Sequence, residues 1–137
     1  MSTVVLDTNV LLDLFVFNDF RAIHLKEALA TGKVTALATP KTLEEFADVI
    51  SRPLFALDTV AQESILLQWS SVAKIVPDET LKISPWKCKD SDDQVFLDLA
   101  YTNKPCTLIS KDNEVLVFSN RATKEQVNIT ADYTLAL

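Results

Sequence analysis

Two aspartates of this chain follow closely on short apolar segments. Asp7 comes directly after Val4-Val5-Leu6, and Asp112 comes three residues after Ile109. In an α/β protein such segments are typical of strands buried on both faces. The carboxyl ends of parallel strands share the edge of the sheet where ligands bind. A carboxylate there is costly to bury unless it holds something, most often a metal ion, so both residues indicate a functional edge.

Two further acidic pairs lie close to predicted helix starts. Asp92-Asp93 opens one helix, and Glu44-Glu45 lies one turn into the helix that begins at Pro40. In a doubly wound fold, helix starts and strand carboxyl ends lie on the same side of the sheet, so all four segments can surround one point. Clustered carboxylates raise each other's pKa, and Mg²⁺ or Mn²⁺ relieves their repulsion. The pattern favours metal-assisted hydrolysis of a phosphodiester.

Each acid also has a purely structural interpretation. Asp92, Asp93 and Glu44 can complement a helix dipole, Glu45 can lie on a solvated helix face, and Asp112 can cap the next helix. Asp7 is the hardest to explain in this way. Spacing alone leaves open which member of each pair faces the site. The other acids that we considered are expected on solvated faces or in loops: Asp13, Asp48, Asp78 and Asp98.

Composition excludes several classes of site. The single glycine, Gly32, is incompatible with a P-loop or a dinucleotide-binding fingerprint. The single histidine, His24, has no motif around it and is expected on a helix surface, which argues against metalloprotease and Ser-His-Asp chemistry. Cys88 and Cys106 are expected to be reduced thiols. With 19 Asp and Glu against 13 Lys and Arg, the overall charge alone disfavours a nucleic-acid substrate unless a metal site gathers several of the acids.

Strands and helices alternate along the 137 residues, which are expected to form one domain (1–137) with a central parallel sheet. Strands are predicted at 3–6, 34–38, 74–76, 107–109 and 127–129. Helices are predicted at about 9–17, 20–30, 39–51, 58–72, 91–103 and 113–118, with a last short helix capped by Thr130. The helix at 91 is expected to begin with a capping box, Ser91 to Gln94. With no apolar run long enough to span a membrane and no signal sequence, a cytoplasmic protein is expected.

Four segments, in order, resemble the PIN domain family. They are Val-Val-Leu-Asp-Thr-Asn at 4–9, Leu-Glu-Glu-Phe at 43–46, Asp-Asp-Gln-Val-Phe-Leu-Asp-Leu-Ala at 92–100 and Leu-Ile-Ser-Lys-Asp at 108–112. Residues 42–55 and 88–93 resemble a bacterial subgroup described as toxin components of toxin–antitoxin systems.

The resemblance implies a three-layer α/β/α sandwich with about five strands, and a Mg²⁺- or Mn²⁺-dependent ribonuclease. Its catalytic and metal-binding acids match Asp7, Glu45, Asp93 and Asp112. Asn9 and Ser110 match supporting polar positions. Asp92, Glu44 and Glu114 stay as alternative ligands. The resemblance further implies an RNA substrate, a possible cognate antitoxin and a homodimer. Four lysines near the proposed face are candidates for RNA contacts: Lys41, Lys87, Lys89 and Lys111.

Two other hypotheses belong to different classes. A PIN fold that has lost catalysis would only bind RNA or a partner protein. A phospho-receiver domain also has an acidic Mg²⁺ pocket on a parallel sheet, but it needs an acidic pair after the first strand, where this chain has Asp7 alone.

Overall fold

The computed structural model describes residues 2–137, in which a single five-stranded sheet is entirely parallel. The strands are β1 (Ser2–Leu6), β2 (Val34–Ala38), β3 (Ala73–Ile75), β4 (Cys106–Ile109) and β5 (Val127–Thr130). Their order across the sheet is β3-β2-β1-β4-β5, so β1 is central and pairs with β2 and β4. The carboxyl ends of all five strands therefore lie along one edge.

Seven α-helices connect these strands within residues 2–137. They are α1 (Thr8–Phe15), α2 (Ile23–Ala30), α3 (Pro40–Ile50), α4 (Thr59–Val72), α5 (Gln94–Thr102), α6 (Asn113–Leu116) and α7 (Ser119–Thr123). Short 3₁₀ segments lie at Phe20–Ala22, Pro53–Phe55, Asp78–Thr80 and Ser91–Asp93. None of the helices in the described part of the chain has the length and apolar character needed to cross a bilayer.

The sheet separates two hydrophobic cores because successive side chains of a strand point to opposite faces. Val4 and Leu6 of β1 pack with the apolar residues of α1 to α4, including the fully buried Trp69. Val5 points the other way and packs with residues of α5 to α7, including the fully buried Leu97. The molecule is thus a three-layer α/β/α sandwich, as the sequence predicts.

All five predicted strands are present, with ends displaced by one residue at most. Several helix predictions are wrong in detail. The helix predicted at 113–118 ends at Leu116, and α7 was not predicted. Two predicted helices, at 20–30 and 91–103, begin with a 3₁₀ segment, and no helix follows Thr130. Instead, the Asp132 side chain accepts hydrogen bonds from the backbone N–H of Thr134 (2.9 Å) and from its hydroxyl (2.7 Å), which holds a turn there.

Helices begin directly after the strands at the carboxyl edge. Thr39 follows β2 and caps α3: its hydroxyl accepts from the Thr42 N–H (3.1 Å), and the Thr42 hydroxyl accepts from the Thr39 N–H (2.9 Å). Thr39 is fully buried, and Pro40 occupies the first helical position. This reciprocal cap fixes the direction of α3 and thereby the position of Glu45.

We predict that Thr39→Ala lowers the free energy of unfolding by about 1–2 kcal/mol, because an N–H of α3 loses its buried acceptor. Urea unfolding of the two proteins measures this difference. Thr59→Ala, at an exposed first helical position of α4, is the control and should change stability by less than about 0.5 kcal/mol. Equal effects of the two substitutions would contradict the assigned role of Thr39.

Candidate active site

Asp7 is a buried carboxylate at the end of the central strand. Its residue surface is only 3% exposed. Its Oδ1 accepts from the Val10 N–H (3.1 Å) and so caps α1, and its Oδ2 accepts from the Ser110 hydroxyl. Burial raises the pKa of Asp7, and the Asp112 charge raises it further, against the lowering effect of the Ser110 and Val10 hydrogen bonds. The side chain is therefore held in one orientation while its charged form stays costly.

Ser110 connects this carboxylate to the loop after β4. It is fully buried, and its Oγ donates to Asp7 and accepts from the Asp112 N–H (3.0 Å). Asp112 in turn caps α6, because its Oδ1 accepts from the Glu114 N–H (2.9 Å). One hydroxyl thus couples the two acids that end neighbouring strands.

Asp93 lies at the boundary between the 3₁₀ turn and α5, and it interacts with both of those acids. Burial, then hydrogen bonding and repulsion involving Asp112, raise its pKa to about 7, with Asp90 and Asp7 adding further repulsion. The structure therefore brings together Asp7, Asp93 and Asp112, three acids from separate segments. A proton on Asp93 near neutral pH is what three crowded carboxyls need in the absence of a cation.

Glu45 lies on α3, and none of those three acids is among the groups that shift its pKa. Its pKa is raised first by burial and then by Asp92, with a smaller contribution from Asp90, while Arg52 and Lys41 lower it. A cleft of about 540 Å³ lies between α3 and the start of α5 and is lined by Glu45, Asp92 and Lys41 among others. Asp7, Asp93 and Asp112 do not line this cleft, but Asp92 and Gln94, the two sequence neighbours of Asp93, do.

Seven other residues named from the sequence lie at the surface. Asn9, Glu44, Asp92 and Glu114 are all exposed, as are Lys41, Lys87 and Lys89. Within residues 2–137, no three Asp, Glu, His or Cys side chains are already arranged to hold a metal ion. The donors that do converge, Asp7, Asp93 and Asp112, carry hard carboxylate oxygens of the kind that Mg²⁺ and Mn²⁺ prefer.

The structure contradicts the prediction that Asp13 lies on a solvated face. Its residue surface is 4% exposed, and its Oδ2 accepts from Lys111 Nζ (2.7 Å) and from the Tyr133 hydroxyl. Arg21 Nη2 lies 4.0 Å from the same oxygen. Lys111 is consequently engaged in an ion pair rather than free for RNA, because a buried carboxylate needs a compensating cation.

Asp98 and Asp78 also have defined partners instead of a solvated position. Asp98 Oδ1 accepts from the Ser84 N–H (2.9 Å) and from Gln94 Nε2 (3.0 Å), and Asp78 Oδ2 accepts from the Lys41 N–H (3.2 Å). Gln94 does not close the predicted capping box. Its amide bonds instead to the segment before α5, through the Cys88 N–H (2.6 Å) and the Trp86 carbonyl (2.8 Å).

One sequence signal could have identified Asp13. Asp13 is the one charged residue between the apolar residues Val10-Leu11-Leu12 and Leu14-Phe15 of α1. A helix that is apolar on all its other faces is buried on all sides. An acid in that run requires a buried partner. Tyr133 carries no comparable signal, since its contact with Asp13 joins residues 120 positions apart.

Comparison with known families matches one family model, described as PIN domain, to residues 3–114. The matched range contains Asp7, Glu45, Asp93 and Asp112 and excludes Tyr133. No curated protein and no solved structure gave a significant match. PIN domains are in general nucleases and bind divalent metals.

The raised pKa of Asp93 predicts a pH-dependent stability in the absence of divalent metal. Asp93 binds its proton more tightly in the folded protein than in the unfolded chain, where the pKa is about 4. Its contribution therefore favours folding at low pH and is lost as the pH rises from about 4 to about 7. Between pH 5 and 7.5 the unfolding free energy of Asp93→Asn should fall less steeply than that of the wild type in urea titrations.

Asp92→Asn is the matched control, since it removes a neighbouring but exposed carboxyl. Its unfolding free energy should fall with pH as steeply as that of the wild type. If the unfolding free energy of Asp93→Asn fell with pH as steeply as that of the wild type, the assigned protonation of Asp93 would be contradicted.

Proposed function

This chain belongs to the PIN domain family, and from that premise we propose that it is a metal-dependent endoribonuclease. The observation that carries the proposal is the convergence of Asp7, Asp93 and Asp112 from three distant segments at the carboxyl edge of the sheet. Two of these carboxyls have raised pKa values and a third lies against them, which is a costly arrangement unless a cation neutralises it.

We assign Asp7, Asp93 and Asp112 as the residues that would hold Mg²⁺ or Mn²⁺. When bound, the metal would lower the pKa of a water molecule and neutralise charge developing on the phosphate. Ser110 and the Val10 N–H keep Asp7 oriented, and Glu45, in the lining of the cleft, would help to orient water or substrate. Asn9 is a supporting polar residue, and Asp92, Glu44 and Glu114 are the alternative acids.

The proposed reaction is hydrolysis of an RNA phosphodiester by in-line attack of water. The oxygen of water bonds to phosphorus, the bond from phosphorus to the 3′ oxygen breaks, and the 3′ oxygen takes up a proton. The products are a 5′-phosphate and a 3′-hydroxyl. The cleft of about 540 Å³ beside Glu45 offers room for the adjoining nucleotide, and exposed Lys41 at its lining can approach the RNA backbone.

The biological setting follows from family resemblance. We propose that the protein is cytoplasmic, that it is the toxin component of a toxin–antitoxin pair, and that it forms a homodimer. Exposed aromatic residues, with Phe17 58% and Phe20 79% accessible, provide apolar surface that a protein partner can cover.

The observed topology disfavours the phospho-receiver alternative. Receivers have the strand order 2-1-3-4-5, whereas this sheet has the order 3-2-1-4-5. A PIN fold that binds RNA or protein without turnover remains the rival that activity measurements must separate.

We predict that the protein cleaves a mixed RNA pool in Mn²⁺ or Mg²⁺ and does not cleave it in excess EDTA. Gel electrophoresis measures the cleavage, and end-group analysis identifies the products. Asp7→Asn keeps the cap on Val10 but removes the charge, and should slow cleavage by roughly 100-fold or more. Asp48→Asn, which removes an exposed charge on α3, is the control and should cleave at the wild-type rate.

Cleavage that persists in EDTA, or that is equal in Asp7→Asn and wild type, would refute the metal-dependent mechanism. RNA binding without any cleavage would favour the non-catalytic PIN fold instead.

A further inference from the structure

Asp13 is the centre of a buried polar group at the side of the proposed site. Its side chain is 5% exposed and sits 2.7 Å from Lys111 Nζ, in contact with the Tyr133 hydroxyl, and 4.0 Å from Arg21 Nη2. Arg21 is mainly engaged by Asp19, whose Oδ2 lies 2.6 Å from the same Nη2. The close partners of Asp13 are therefore Lys111 and Tyr133.

These contacts join three parts of the chain that meet at the site. Asp13 lies on α1, the helix that Asp7 caps. Lys111 stands between Ser110, which donates to Asp7, and Asp112, whose N–H is bound by Ser110. The ion pair and the Ser110 hydroxyl are thus two separate ties between the same helix and the same loop.

Tyr133 connects Asp13 to a third part of the chain, the segment after β5, which lies outside the range matched by the family model. Its residue surface is 6% exposed, and its hydroxyl donates to the oxygen that also binds Lys111. Burial and the hydrogen bond to Asp13 raise the pKa of Tyr133, so the hydroxyl keeps its proton and donates throughout the physiological range. The end of the chain thereby fixes the position of Asp13 and, through it, of Lys111.

We infer that Asp13, Lys111 and Tyr133 are positioning residues that hold the Ser110–Asp112 loop at the distance from Asp7 required for divalent-metal binding. This inference rests on the proposed function, since it assigns the three residues a role toward the same metal. It also gives Lys111 a role other than contact with RNA.

The direction in which metal affinity changes when Lys111 is replaced distinguishes a positioning role from a purely electrostatic one. Lys111 lies close enough to Asp7 to lower its pKa, so its positive charge by itself disfavours a nearby cation. Removing that charge would strengthen metal binding if electrostatics alone mattered. Loss of positioning would weaken it, because the supporting groups around metal ligands typically account for a 10- to 100-fold change in affinity.

Tyr133→Phe is the decisive variant because it removes one oxygen atom and no charge. Tyr101→Phe is the matched control. Tyr101 is the other tyrosine of the chain and lies on α5, where its ring packs edge-on against Trp86 with the ring centroids 5.5 Å apart. Lys111→Met is paired with Lys104→Met, since Lys104 makes a comparable ion pair with Glu125 (3.0 Å) and is similarly exposed.

Two readouts are measured on the full chain, without RNA. The first is amide hydrogen exchange of Ser110 and Asp112 in metal-free protein. The second is Mn²⁺ affinity from calorimetry. We expect Tyr133→Phe and Lys111→Met to speed exchange at Asp112 and to weaken Mn²⁺ binding by about tenfold, whereas both control variants keep wild-type exchange and affinity.

Unchanged or tighter Mn²⁺ binding in Tyr133→Phe and Lys111→Met would overturn the inference, even if both variants melt at lower temperature. Should Lys111→Met fail to fold, Tyr133→Phe decides alone. A wild type that binds no Mn²⁺ would count against the proposed function instead. In that case unchanged exchange at Asp112 in Tyr133→Phe would still refute the positioning role, and faster exchange would support it.

Discussion

Mutual repulsion among carboxyl groups at one edge of the sheet is the constraint on which this structure depends. Asp7, Asp93 and Asp112 come from three segments and raise the cost of one another's charge, and Asp7 is almost completely buried. Folding places them together because β1 and β4 are neighbours and release their next residues at the same edge. The same crowding raises the pKa of Asp93, which favours a proton on this group and so less repulsion when no cation is bound.

Asp7 and Asp112 differ from Asp13 in their direct hydrogen-bond partners. Near Asp7 and Asp112, the partners are a hydroxyl and backbone N–H groups, which orient the carboxylates but carry no positive charge. A few residues away, Asp13 has Lys111 and Tyr133 as direct partners. Of these three acids, Asp13 is therefore paired with a cation within the protein, whereas Asp7 and Asp112 are bound only by neutral groups.

Much of this arrangement can be predicted from the sequence, because its signals are local. Buried strands are marked by apolar runs. Because β1 and β4 are parallel neighbours, Asp7 and Asp112, which follow these runs, lie near the same edge of the sheet, and this position could be predicted. The pair Asp92-Asp93 could not be resolved by spacing. The 3₁₀ turn that precedes α5 turns Asp93 inward toward Asp112 and leaves Asp92 exposed.

Two of the helix errors arise because the residues concerned have other hydrogen-bond partners. Gln94 fits a capping box, but its amide reaches the backbone of residues 86 and 88 instead. The segment after Thr130 has the start signal of a helix, but Asp132 forms its own turn and Tyr133 packs against Asp13. The contact of Tyr133 with Asp13, 120 positions away, leaves no periodic trace in a single sequence.

The central claim is that the three converging acids form a divalent-metal site, and crystallography of the protein soaked in Mn²⁺ tests it most directly through anomalous scattering. A single strong peak is predicted at the carboxyl edge of the sheet, within about 2.5 Å of carboxylate oxygens of Asp7 and of at least one of Asp93 and Asp112. A fully occupied peak elsewhere, or density at this edge that stays empty at saturating Mn²⁺, would contradict it.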